Sequence, residues 1–162
     1  NENFIFDKKY LGGINDDIFM TLEKWTNKNC SIDDNDLILQ MDIEGSEYDV
    51  ILETKQELFK RFRIIVIEFH DLQNLFNPIG YNMITQCFNK LLDDFYIVHG
   101  HPNNTLNPVV YKNFEIPPVM EFTFIRKDRV KQISLAKEFP HVLDANCVQS
   151  KKSIILPSCW YN

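Results

Sequence analysis

The chain has 162 residues, 44% hydrophobic and 25% charged, enough for one domain with a real core and outside the range of disordered proteins. Its net charge of −6 at pH 7 argues against nucleic acid as a partner, because phosphate binding needs a basic surface. No apolar run reaches about 18 residues, so neither a membrane span nor a membrane partner is expected.

Four cysteines, Cys30, Cys87, Cys147 and Cys159, lack CxxC spacing and read as free thiols of a reducing compartment, which places the chain in the cytoplasm. The sequence opens "NENFIF", with no Met and no signal peptide, so it is read as processed or as part of something longer.

In chain order, "MTLEKW" (20–25) reads as a short helix with Thr21 as N-cap. "LILQMDI" (37–43) has the length and apolar character of a strand covered on both faces. A helix is expected over about 47–62, opened by a Ser46–Asp49 capping box. "RIIVIEF" (63–69) is a second buried strand, 81–95 a helix with Ile84, Phe88, Leu91 and Leu92 on one face, and "YIVHG" (96–100) a third strand. "HPNNTLNP" is a loop of turn formers, and 119–127 a fourth strand after Pro117 and Pro118. The tail, 131–162, reads as a short helix, "VKQISLAKEF", and then irregular chain. The basic stretches "FKRFR" and "IRKDRVK" read as solvated faces or strand ends. This alternation predicts a single α/β domain over 1–162, its parallel strands joined by crossovers and its last strand returning antiparallel.

Ligands of open α/β sheets sit outside the carboxyl ends of the parallel strands. Asp42 ends the first strand, Glu68 and His70 the second, and His99 and His101 the third; an antiparallel fourth strand adds Glu121 to that edge. Asp42 and Glu68 each lie five residues past their strand's first residue, so they are expected at one level. A carboxylate at a buried strand end is costly unless paired or used, which singles out Asp42 and, beside it, Glu44. Glu47 and Asp49 are accounted for by the helix N-terminus, where acids are favoured, and Gly45 by the tight turn before it. Glu68 is balanced between a site role and pairing with a basic residue, His70 and His101 are candidates, His99 reads as structural, and His141 stands without company. Such a group suits general base work on a hydroxyl, or a divalent metal. The chain holds no HExxH, Walker loop or GxSxG elbow.

"LILQMDIEGSEYDVI" resembles the D-[VI]-E-G-x-E segment of FkbM-type methyltransferases, with "MTLEKW" similar to their T-L-[DE] segment and "IVIEFHDL" to their next strand. "HPNN", "IPPVMEFTFIRKD" and "FPHVLDANC" resemble one branch of that family, so the likeness runs over about 20–156. The resemblance implies the C-terminal half of a Rossmann-like class I sheet, the fourth to seventh of its seven strands, with an antiparallel last strand. It also implies S-adenosylmethionine as cofactor and O-methylation of a sugar or small-metabolite hydroxyl. On this reading Asp42 is the base or positions the acceptor hydroxyl, and Glu44, Glu68, His70, His101, Asn103 and Asn104 bind the acceptor.

The five glycines form no GxGxG run, so the cofactor's glycine-rich turn is expected outside this chain, which alone would be an inactive fragment. The strand at 37–43 would then be an open apolar edge, inviting a homodimer. Two other readings remain: a non-catalytic interaction module, and a metal-dependent hydrolase built on Asp42, Glu44, Glu68, His70 and His101.

Overall fold

The computed structural model describes residues 4–136 and 139–160. Strands β1 (Tyr10–Leu11) and β2 (Phe19–Met20) pair in parallel. Helix α1 (Leu22–Asn29) starts at Thr21 as the sequence predicts, the Thr21 hydroxyl accepting the Lys24 amide at 3.2 Å.

Strand β3 (Leu37–Met41) is followed by two helices where one was expected, α2 (Glu47–Glu53) and α3 (Gln56–Phe59). The break falls at Thr54, which turns extended while its hydroxyl donates to the Val50 carbonyl at 2.6 Å. The expected capping box is not formed: Ser46 makes no side-chain capping bond, and Glu47 folds back onto the Ile43 and Gly45 amides instead. Strand β4 (Phe62–Phe69) leads through a 3-10 turn (Leu72–Phe76) into α4 (Pro78–Leu92). That helix begins earlier than its apolar spacing suggests, because Pro78 fits the first turn and Asn77 accepts the Gly80 amide at 2.8 Å. Strand β5 (Phe95–Pro102) runs through both histidines of "HGHP". The connection read as loop contains a hairpin, β6 (Val109–Tyr111) and β7 (Phe114–Ile116), before β8 (Met120–Arg126).

The main sheet is mixed, in the order β3-β4-β8-β5. β3 and β4 are parallel, and β8 lies antiparallel to both β4 and β5. The last strand is therefore antiparallel as expected, and it lies between β4 and β5. One face carries the core, with Leu39, Met41, Ile65, Ile67, Phe69, Phe122 and Phe124 packed against α2 and α4 residues such as Val50, Ile51, Ile84 and Leu91. β3 is not covered on both faces: Ile38 and Gln40, which alternate with the buried Leu39 and Met41, are exposed.

Arg126 lies at a strand end, one of the two readings of its basic stretch, but it is buried rather than solvated and pins the sheet's far end, donating to the Lys60 and Phe62 carbonyls and to Asp36 and Asp128. The helix expected over "VKQISLAKEF" does not form in its described part, since 131–136 are irregular; 137–138 lie outside the described residues. Among the described residues no helix is long and apolar enough to cross a membrane.

Candidate functional site

The turn after β3 creates the site. Glu44 and Gly45 both take left-handed backbone, at φ 58° and 102°. Glycine does so freely, whereas Glu44 is strained, and such strain gathers at functional sites. The turn drops Glu47 into the interior, where it is fully buried. Its Oε1 accepts the Ile43 amide at 3.0 Å, the Gly45 amide at 3.2 Å and the Nδ1 proton of His70 at 3.1 Å. Glu47 is thus more than a helix-start acid: it sets the ring of His70.

His70 follows the end of β4. Its backbone carbonyl accepts the Tyr48 hydroxyl at 2.5 Å, and burial raises the Tyr48 phenol well above its ordinary range, keeping it a donor. The following residue, Asp71, is also left-handed, at φ 57°. With Nδ1 occupied by Glu47, His70 turns Nε2 toward three more carboxylates: Glu44 at 3.5 Å, Glu68 at 3.7 Å and Asp42 at 3.9 Å. Met41 pairs with Ile67, so the expected common level of Asp42 and Glu68 is what the register gives. Asp42, Glu68 and His70 lie close enough to share a metal ion.

Glu68 links this group to a second one. Its Oε1 accepts the Asn103 amide at 2.9 Å, and it lines a cavity of about 310 Å³ with His99, His101, Asn103, Glu121, Asp144 and Cys147. Glu68, Glu121 and His101 form one rung of the sheet, and His99 lies two rungs on, opposite Thr123. The tail covers this face. His99 Nε2 lies 2.8 Å from one Asp144 oxygen, and His101 Nδ1 lies 3.4 Å from the other. Burial alone would raise the Asp144 carboxyl, but the His141 amide bond and the charges of His99 and His101 outweigh it, leaving Asp144 below the usual carboxylate range.

Of the residues singled out by sequence, Asp42, Glu44, Glu68 and His70 come together, while His101 belongs to the second group. Asn103 ties Glu68 to this cavity. Asn104 does not face it: it is buried and holds the tail, donating to the Val148 carbonyl at 2.9 Å and accepting the Val148 amide at 2.8 Å. Three residues were missed. Glu47 was absorbed by its helix position; His99 was read as structural, although it shares a face with His101 two residues on; Asp144 lay in a tail without periodicity. A larger groove of about 780 Å³, lined by Phe88, Tyr96, Phe122 and Trp160 among others, is mostly apolar, with His99, Gln132 and Ser134 among its few polar side chains.

No curated protein and no solved structure gives a significant match to the chain. Residues 20–86, the stretch holding Asp42, Glu44, Glu47, Glu68 and His70, match the family model described as the methyltransferase FkbM domain, the family that the sequence resembles.

Proposed function

We propose that the chain provides the acceptor side of an S-adenosylmethionine-dependent O-methyltransferase acting on a hydroxyl of a sugar or small metabolite. The family match supports methyl transfer in general. The observation that carries the finer reading is His70, fixed by Glu47 on Nδ1 and facing Asp42, Glu44 and Glu68 with Nε2. Carboxylates are hydrogen-bond acceptors, so a wall of them suits a ligand rich in hydroxyl groups.

Asp42 and Glu68, level on adjacent strands, accept hydrogen bonds from neighbouring hydroxyls. Asp42 is the more exposed of the two, with 43% of its side chain accessible against 20% for Glu68. Its carboxylate would take the proton of the reacting hydroxyl as the new O–CH₃ bond forms, the methyl group's bond to the cofactor sulfur breaking with its electron pair left on the thioether. His70 is a positioning residue that keeps the carboxylates together. S-adenosylmethionine would supply the methyl group, but the chain's five glycines make no GxGxG run to hold it. Every step assigned to this chain therefore concerns the acceptor. The free thiols of Cys30, Cys87 and Cys147 support a cytoplasmic setting.

The test is binding of a panel of sugars and hydroxylated metabolites to the chain by calorimetry and, in a protein that joins this chain to a glycine-rich cofactor turn, transfer of a labelled methyl group from S-adenosylmethionine. Asp42→Asn is expected to lower transfer by about 10²–10⁴-fold with the fold retained, the scale of general-base catalysis. Undiminished transfer in that variant removes Asp42 from the role, and binding of none of these hydroxylated compounds by the chain removes the reading.

A further inference from the structure

We infer that His99, His101 and Asp144 form a binding site for one divalent metal ion of the zinc class, between the sheet and the tail. The site stands apart from the proposed methyl transfer and does not depend on it.

His99 and His101 lie on β5 with one residue between them, so both imidazoles leave the same face of the sheet. Their rings stack with an interplanar angle of 10°. The tail brings Asp144 across them, and one ligand atom from each of the three lies within 4.8 Å of the others. Two imidazoles and a carboxylate are a donor set that zinc and its neighbours prefer, and three protein ligands leave a position open for water or substrate.

The orientation of His101 is the specific observation. Its Nε2 donates to the Ala145 carbonyl at 3.1 Å, which leaves Nδ1 turned inward. Nδ1 is buried and has no hydrogen-bond partner among the described residues, although the Asp144 carboxylate lies 3.4 Å away. A ring nitrogen held this way by a backbone carbonyl on its other side is the usual outer support of a metal-binding histidine. A cation between Nδ1 and Asp144 satisfies both. Ligand atoms in a tetrahedral zinc site lie roughly 3.3 Å apart at normal bond lengths. The 2.8 Å from His99 to one Asp144 oxygen and the 3.4 Å from His101 to the other are near that value. Asp144 is steadied by the His141 amide at 2.7 Å, and the open position faces the cavity shared with Glu68, Glu121 and Cys147.

The test is a cobalt(II) titration of the full chain, purified without chelator, read by its visible ligand-field bands and reversed by zinc. One equivalent is expected to bind. His101→Gln and Asp144→Asn are each expected to weaken binding by on the order of 10–100-fold or more, the loss that even outer partners of a metal site cause. His70→Gln, which alters the other cluster, is expected to leave binding unchanged. Absence of stoichiometric binding overturns the site. Binding that survives His101→Gln and Asp144→Asn but is lost in His70→Gln also overturns it, by placing the ion on Asp42, Glu68 and His70. If either variant at the proposed site unfolds by circular dichroism, His99→Gln decides on the same criterion.

Discussion

Glu47 and His70 stand 23 residues apart in the chain and meet at 3.1 Å, the buried carboxylate accepting the ring Nδ1 proton. The same oxygen closes the turn of "DIEGSE" by accepting the Ile43 and Gly45 amides. One side chain therefore shapes the loop that presents Asp42 and orients the ring that faces it. Glu47→Ala is expected to destabilise the fold by about 1–3 kcal/mol, the cost of leaving buried donors unpaired. Urea unfolding measures this, and stability equal to the unaltered chain would show that the network contributes nothing.

The tail should depend on Asn104. Its amide makes a two-way bond with Val148, and Lys151 adds a bond to the Thr105 carbonyl at 2.5 Å. Asn104→Ala is expected to raise hydrogen exchange of the Val148 amide and to weaken cobalt binding through the loss of Asp144's position. Unchanged exchange there would mean that other contacts hold the tail.

The succession of the main strands along the chain and the shared level of Asp42 and Glu68 were legible, because apolar periodicity and residue counting report on strands directly. The bond between Glu47 and His70 was not, since it depends on two consecutive left-handed residues, one of them a glutamate. Periodicity also says nothing about which strands are neighbours, so the place of β8 between β4 and β5 was hidden. The His99 and Asp144 pair was out of reach for a related reason: the tail has neither helical nor strand period, and bonds between residues far apart in the chain, such as Val148 with Asn104 and Lys151 with Thr105, bring it across the sheet.

Acid sensitivity should be traceable to Asp36. It lies 2.8 Å from both Arg126 and Arg129. The Arg129 hydrogen bond, with the charges of Arg129 and Arg126, holds its carboxyl below the usual range despite the opposing effect of burial. The folded carboxylate thus stays charged to lower pH than the unfolded one, whose pKa is about 3.9. Its contribution is complete above roughly pH 4 and is lost as pH falls through the folded value. Asp36→Asn is expected to lower the melting temperature at neutral pH, with the gap to the unaltered chain closing in acid. A gap that persists unchanged at the lowest pH would assign the effect to geometry instead of charge.

The edge of β3 should associate. Among the described residues no strand pairs its outer side, and Ile38 is 69% exposed there. The chain is expected to form a homodimer through this edge in light scattering, and Ile38→Lys to shift it toward monomer. A monodisperse monomer at high concentration would rule the edge out as an interface.

The seat of β8 also sets an order of assembly. β5 is held in the sheet by β8, which follows it in the chain, with no direct pairing to β4. A nascent chain that has emerged only as far as β5 therefore leaves that strand and β4 each with a row of unmatched backbone groups and a gap one strand wide between them. The sheet closes like an arch whose keystone is laid last, when Met120–Arg126 arrive. Until then the fold is open to wrong partners, and such late, long-range closure slows folding.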